Sequence, residues 1–149
     1  MQQTVEFKII SATDSITITT DSIKKIPSQK LPDLRLTNHH GEFKKLLANL
    51  QGIPIKTFLE KIKPVTEKPK ELNEYYYIFR AGDDYINVYS WNEIFNTSVG
   101  DSIYIITSYD GFTLETMPDK IMVVSLSDNT TARRTLKGLR RIEICRAKE

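Results

Sequence analysis

The stretch YINVYSWNEIF (Tyr85 to Phe95), the Asp110-Gly111 pair, IMVVSLSD (residues 121–128) and RRTLKGLRRIEI (residues 133–144) together decide how the chain reads. Tyr85–Tyr89 alternates side-chain character and reads as a strand. Ser90-Trp91-Asn92-Glu93 fits a capping box, in which the serine hydroxyl serves the glutamate amide and the carboxylate reaches back, so a short helix starts there. Asp110-Gly111 is a turn pair just beyond the β-branched and aromatic run Ser102–Ser108. Lys120–Leu126 is mostly apolar, as a buried strand would be. Asp128–Gly138 is polar and basic, and Leu139–Cys145 reads as a final strand.

Working outward, Val5–Ser11 and Ser15–Thr20 alternate and are joined by Ala12-Thr13-Asp14, a hairpin-length link. Thr20 or Asp21 caps a short helix over Ser22–Ile26, which Pro27 ends. Asp33–Asn38 is a further strand, while Phe43–Gln51 is open between helix and strand. Ile55, Phe58, Leu59 and Ile62 fall at i, i+3, i+4 and i+7, the clearest amphipathic helix pattern, with Pro54 suited to its first turn. Lys63–Asn73 reads as a solvated loop, and Tyr75–Ala81 and Tyr85–Tyr89 as strands joined by Gly82-Asp83-Asp84. The expected class is α+β: a mixed, largely antiparallel β-sheet with a few short helices. Residues 1–149 suit one domain, since neither side of the Lys63–Asn73 loop has enough apolar sequence for its own core.

Composition narrows the classes. A net charge of +2 gives no bulk electrostatic reason to expect nucleic acid. The absence of an apolar run of ~18 residues excludes a helical membrane span. No signal peptide is visible at Met1–Lys8, so the expectation is cytoplasmic as given, or exported with its signal removed. The lone cysteine, Cys145, rules out an internal disulfide. No P-loop, dinucleotide fingerprint, zinc-protease motif or nucleophile elbow is present.

Several segments, in order, resemble the molybdopterin-binding catalytic domain of the sulfite oxidase family in a short form. SITITTDSIKKIPSQ (15–29) is similar to the family's opening strand, short helix and stop, and GIPIKTFL (52–59) to a helix start. YINVYSWNEIF, DGFTL (110–114), IMVVSLSD and RRTLKGLRRIEI are similar to its closing half. The resemblance implies that fold, and the cofactor it offers is molybdopterin. It also implies a molybdenum-binding cysteine in the neighbourhood of Asn38, His39, His40 and Gly41, where none stands. Without a soft thiolate, oxygen-atom transfer at molybdenum loses its protein ligand.

His39 and His40 are the only histidines and the first candidate site residues. Neighbours on an extended chain point apart, so the pair does not readily chelate one metal; the two read as surface or loop residues, or else one imidazole occupies the vacated slot. Arg133, Arg134 and Lys137, with Arg140 and Arg141 beyond, form a basic cluster suited to phosphate or carboxylate, or else a solvated face. Asp83, Asp84 and Asp110 read as turn residues, Trp91 and Tyr75–Tyr77 as packing, and Cys145 as a small buried side chain. The expectation is a binding domain with the sulfite oxidase-like fold, non-catalytic, holding a pterin or other small anionic ligand near His39, His40, Arg133, Arg134 and Lys137. The alternatives are a divergent molybdopterin-dependent oxidoreductase and a protein-interaction module with an unknown partner.

Overall fold

The structure, a computed structural model, describes residues 5–148. In chain order the elements are β1 (Glu6–Ile10), β2 (Ser15–Thr19), α1 (Thr20–Lys24), β3 (Gln29–Lys30), β4 (Leu34–Thr37), β5 (Phe43–Leu47), β6 (Gln51–Pro54) and α2 (Lys56–Leu59). A 3-10 turn at Pro69–Glu74 leads into β7 (Tyr75–Ala81), β8 (Ile86–Ser90), α3 (Trp91–Phe95), β9 (Ile103–Tyr109), β10 (Phe112–Thr113), β11 (Val123–Ser125), a further 3-10 turn at Thr131–Arg134 and β12 (Leu139–Arg146).

The fold is α+β with mostly antiparallel sheets and a few short helices, as the sequence predicts. One five-stranded sheet has the order β2-β1-β12-β7-β8, with β1 and β12 parallel and the other pairs antiparallel. A second has the order β10-β9-β6-β3, with β11 also on β9. The third is the β4–β5 hairpin. No helix among the described residues is long and apolar enough to cross a membrane.

Two apolar clusters explain the patterning. Phe7, Ile9, Phe58, Tyr77, Phe79, Tyr89, Ile105 and Ile142 belong to one that includes residues of both large sheets. Leu34, Leu36, Leu47, Ile106, Tyr109, Met122 and Val124 belong to the other, which joins the second sheet to the β4–β5 hairpin. Because Ile105 and Val123 serve the first cluster and Ile106 and Val124 the second, β9 and β11 are apolar on both faces. Fully burying a side chain such as Phe58 is worth about 1.5–3 kcal/mol.

Several boundaries differ from expectation. The first helix starts at Thr20 and is capped by Thr19, in a reciprocal box with Ser22, so neither Thr20 nor Asp21 is the cap. Within the Phe43–Gln51 stretch, Phe43–Leu47 is strand β5, paired to β4, and Gln51 opens β6. The amphipathic pattern Ile55–Ile62 is buried at every apolar position, yet only Lys56–Leu59 is α-helical. The strand expected at Lys120–Leu126 shortens to Val123–Ser125. Ser90 and Glu93 form the predicted capping box: Ser90 Oγ accepts from the Glu93 N–H at 3.0 Å, and Glu93 Oε1 accepts from the Ser90 N–H at 2.9 Å.

Candidate functional site

The site is built on a turn between β4 and β5. Asn38 Oδ1 accepts from the N–H groups of His40 and Glu42 at 2.9 and 3.0 Å, and the Asn38 amide donates to Glu42 Oε1 at 3.0 Å. Gly41 closes the turn at φ +86, in the left-handed region that glycine enters without a Cβ clash. His39 and His40 are therefore in a tight turn, not on extended chain.

Three side chains tie the basic loop to its neighbours: Thr131 to β4, Tyr85 to the start of β8 and Arg133 to the turn. Buried Thr131 accepts from the Thr37 N–H at 2.9 Å and donates to the Arg35 carbonyl oxygen at 2.9 Å. The Tyr85 hydroxyl donates to the Arg133 carbonyl oxygen at 2.6 Å. The Arg133 guanidinium donates from Nη2 to the His39 carbonyl oxygen at 2.9 Å. Segments far apart in sequence thus converge on one cleft of about 230 Å³, lined by Leu36, Thr37, Asn38, His39, Lys44, Asp83, Tyr85, Ala132, Thr135 and Lys137.

The cleft has an apolar side, Leu36 and Ala132, and a ring edge where the His39 and Tyr85 rings sit 6.4 Å apart at 67°. Thr37, Asn38 and Thr135 supply hydroxyl and amide groups, and Lys44 and Lys137 supply ammonium groups. Among the described residues Lys44 has no ion-pair partner. Lys137 Nζ lies 3.9 Å from Oδ2 of buried Asp119, whose other oxygen accepts from the Tyr109 hydroxyl at 2.8 Å. Asp83 is the lone carboxylate of the lining, and its Oδ1 accepts from the Tyr85 N–H at 3.1 Å. Burial pushes the Tyr85 hydroxyl's pKa up, with Arg133 pulling it back, so Tyr85 is a neutral donor.

The predicted residues divide. His39 and Lys137 line the cleft. Arg133 is an exposed strut that holds the His39 backbone, and His40 is exposed and not part of the lining. Arg134 is engaged elsewhere: its Nε and Nη2 make a fork on Asp128 at 2.9 and 2.9 Å, Nη1 donates to Glu93 at 3.2 Å, and the guanidinium lies 4.3 Å over the Tyr89 ring. The Asp128 bond, the largest influence, raises the Arg134 pKa further. Arg140 and Arg141 belong to β12, not to the loop. Lys44, Tyr85 and Thr135 join the lining although no motif marks them in the sequence.

A molybdenum centre does not fit this lining. The lining offers one imidazole and no thiolate. Cys145 sits on β12 opposite Tyr76, roughly 20 Å of strand rise beyond Leu139, and burial pushes its thiol pKa up. Among the described residues no three His, Cys, Asp or Glu side chains come together as a metal-binding group. The cleft volume also falls below the ~300–1,000 Å³ of sites that enclose drug-sized ligands. In comparison with known proteins, no family model and no curated protein matches the chain.

Proposed function

We propose that this chain is a binding domain for a small organic anion, on a scaffold similar to the sulfite oxidase molybdopterin-binding domain but without its metal chemistry. The observation that carries the reading is the convergence of His39, Lys44, Tyr85, Thr135 and Lys137 on one cleft. Two ammonium groups suit a carboxylate, the hydroxyl and amide groups fix its orientation, and Leu36, Ala132 and the ring edges accept an apolar or flat body. A pterin fragment bearing a carboxylate has this chemistry.

Calorimetric titration with pterin-6-carboxylate and with benzoate tests the proposal. Saturable binding is expected, and Lys44→Ala and Lys137→Ala should each weaken it. The absence of saturable heat with either acid, or an affinity that both alanine variants leave unchanged, overturns the proposal. Metal analysis of protein from a molybdenum-replete host tests the second half: stoichiometric molybdenum would overturn the metal-free reading in favour of an oxidoreductase.

A further inference from the structure

A second basic pocket lies on the other side of the Gly82–Ile86 turn. Asp83 and Tyr85 line the first cleft, whereas Gly82, Asp84 and Ile86 line the second together with Arg80, Arg140 and Arg141. Its volume is about 240 Å³. The cause is an irregularity in β12: Leu139 pairs with Ala81 and Arg141 with Arg80, so Arg140 is an extra residue on its strand. With Leu139 and Ile142 both buried, regular alternation would send one of Arg140 and Arg141 inward. The bulge instead leaves Arg140 and Arg141 both exposed between buried Leu139 and Ile142.

Two like charges, Arg80 and Arg141, then stand directly opposite each other, an arrangement that is destabilising unless compensated. A single carboxylate oxygen serves both: Glu143 Oε2 lies 3.0 Å from Arg80 Nε and 2.7 Å from Arg141 Nε. Among the described residues Arg140 has no ion-pair partner, and neither has Asp84 on the rim. Three guanidinium groups therefore face two carboxylates, and a positive excess stays in a polar recess.

We propose that this bulge pocket is a binding site for a phosphoryl group, held by Arg80, Arg140 and Arg141. Guanidinium forks match phosphate oxygens in pairs, and a dianion offsets the repulsion that Glu143 alone shares between two arginines. The group comes from free phosphate or from a phosphomonoester whose organic body lies over half-exposed Ile86. The site is independent of the organic-anion cleft.

Amide-resolved NMR titration at neutral pH and constant ionic strength, with inorganic phosphate and separately with phenyl phosphate, is the test. Saturable displacement of the Gly82, Asp84, Arg140 and Arg141 signals is expected. Arg140→Ala should weaken binding about tenfold or more, and Glu143→Gln should tighten it. Tighter binding of phenyl phosphate assigns the phosphomonoester, and equal binding assigns free phosphate. Uniform non-saturating shifts, or equal affinities in the wild type and Arg140→Ala, overturn the proposal.

Discussion

The Arg133 guanidinium donates from Nη2 to the main-chain carbonyl oxygen of His39 at 2.9 Å, tying together residues 94 positions apart. Arg133 does not line the cleft; it holds the turn that presents the His39 ring. Arg133→Met should leave stability within ~0.5 kcal/mol, as surface substitutions usually do. It should weaken pterin-6-carboxylate binding about fivefold, the equivalent of one ordinary hydrogen bond. Denaturant unfolding and calorimetry together separate the two effects, and a shifted His39 ring signal marks the positioning role.

Arg134 should behave in the opposite way. Removing it leaves the Asp128 carboxylate, whose side chain is 13% exposed, without its guanidinium and releases Glu93 of the α3 capping box from its cross-link to the basic loop. Arg134→Met should cost roughly 2–4 kcal/mol, because an uncompensated, mostly buried charge remains. Arg134→Met/Asp128→Leu should recover part of the loss. Urea unfolding of the two variants measures both.

Two glycines should differ for distinct reasons. A Cβ on Gly100 would land on the Ile94 carbonyl group, a backbone obstacle that cannot swing aside. Gly100→Ala should therefore cost about 3 kcal/mol or more. Gly111 has φ +84 with nothing within 4 Å of a Cβ, so Gly111→Ala incurs only the strain of the left-handed conformation, about 1–2 kcal/mol. Thermal unfolding should rank them in that order.

Alkali should unfold the protein through its buried tyrosines. Burial raises the pKa values of Tyr77, Tyr89 and Tyr109 above 10.0, and a hydrogen bond to Asp119 adds to the shift at Tyr109. A raised folded-state pKa gives stability that is complete below the unfolded value of about 10 and is lost as pH climbs toward the folded value. Each of these hydroxyls should steepen the decline by up to ~1.4 kcal/mol per pH unit. Phenolate absorbance and loss of structure should appear in one transition. The Tyr77 hydroxyl has no hydrogen-bond partner among the described residues, so Tyr77→Phe should hold or raise stability at neutral pH, by up to about 1 kcal/mol, and flatten the alkaline slope.

The local elements are readable where one short-range rule governs them. The Ser90–Glu93 box and the Gly82-Asp83-Asp84 hairpin are decided by residues a few positions apart, and both stand where the sequence places them. Phe43–Leu47 defeats periodicity because β5 belongs to a two-stranded hairpin and only Leu47 on it is buried, so no alternation marks a face. The site is half readable. His39 and Lys137 stand out as unusual or clustered residues, but Lys44 and Thr135 join them through long-range contacts that Thr131, Tyr85 and Arg133 make. Arg134 reads as a site residue because a basic run does not show which guanidinium already has Asp128 within reach.

The parallel pairing of β1 with β12 sets an order of assembly. β12 stands in the middle of the first sheet, between β1 and β7, yet it is the last of the described strands to leave the ribosome. During synthesis the β1–β2 and β7–β8 hairpins must wait as separate ribbons, each lacking the strand between them. Newly made chains should therefore gain protease resistance abruptly, once the segment from Leu139 to Arg146 clears the exit tunnel, rather than piece by piece.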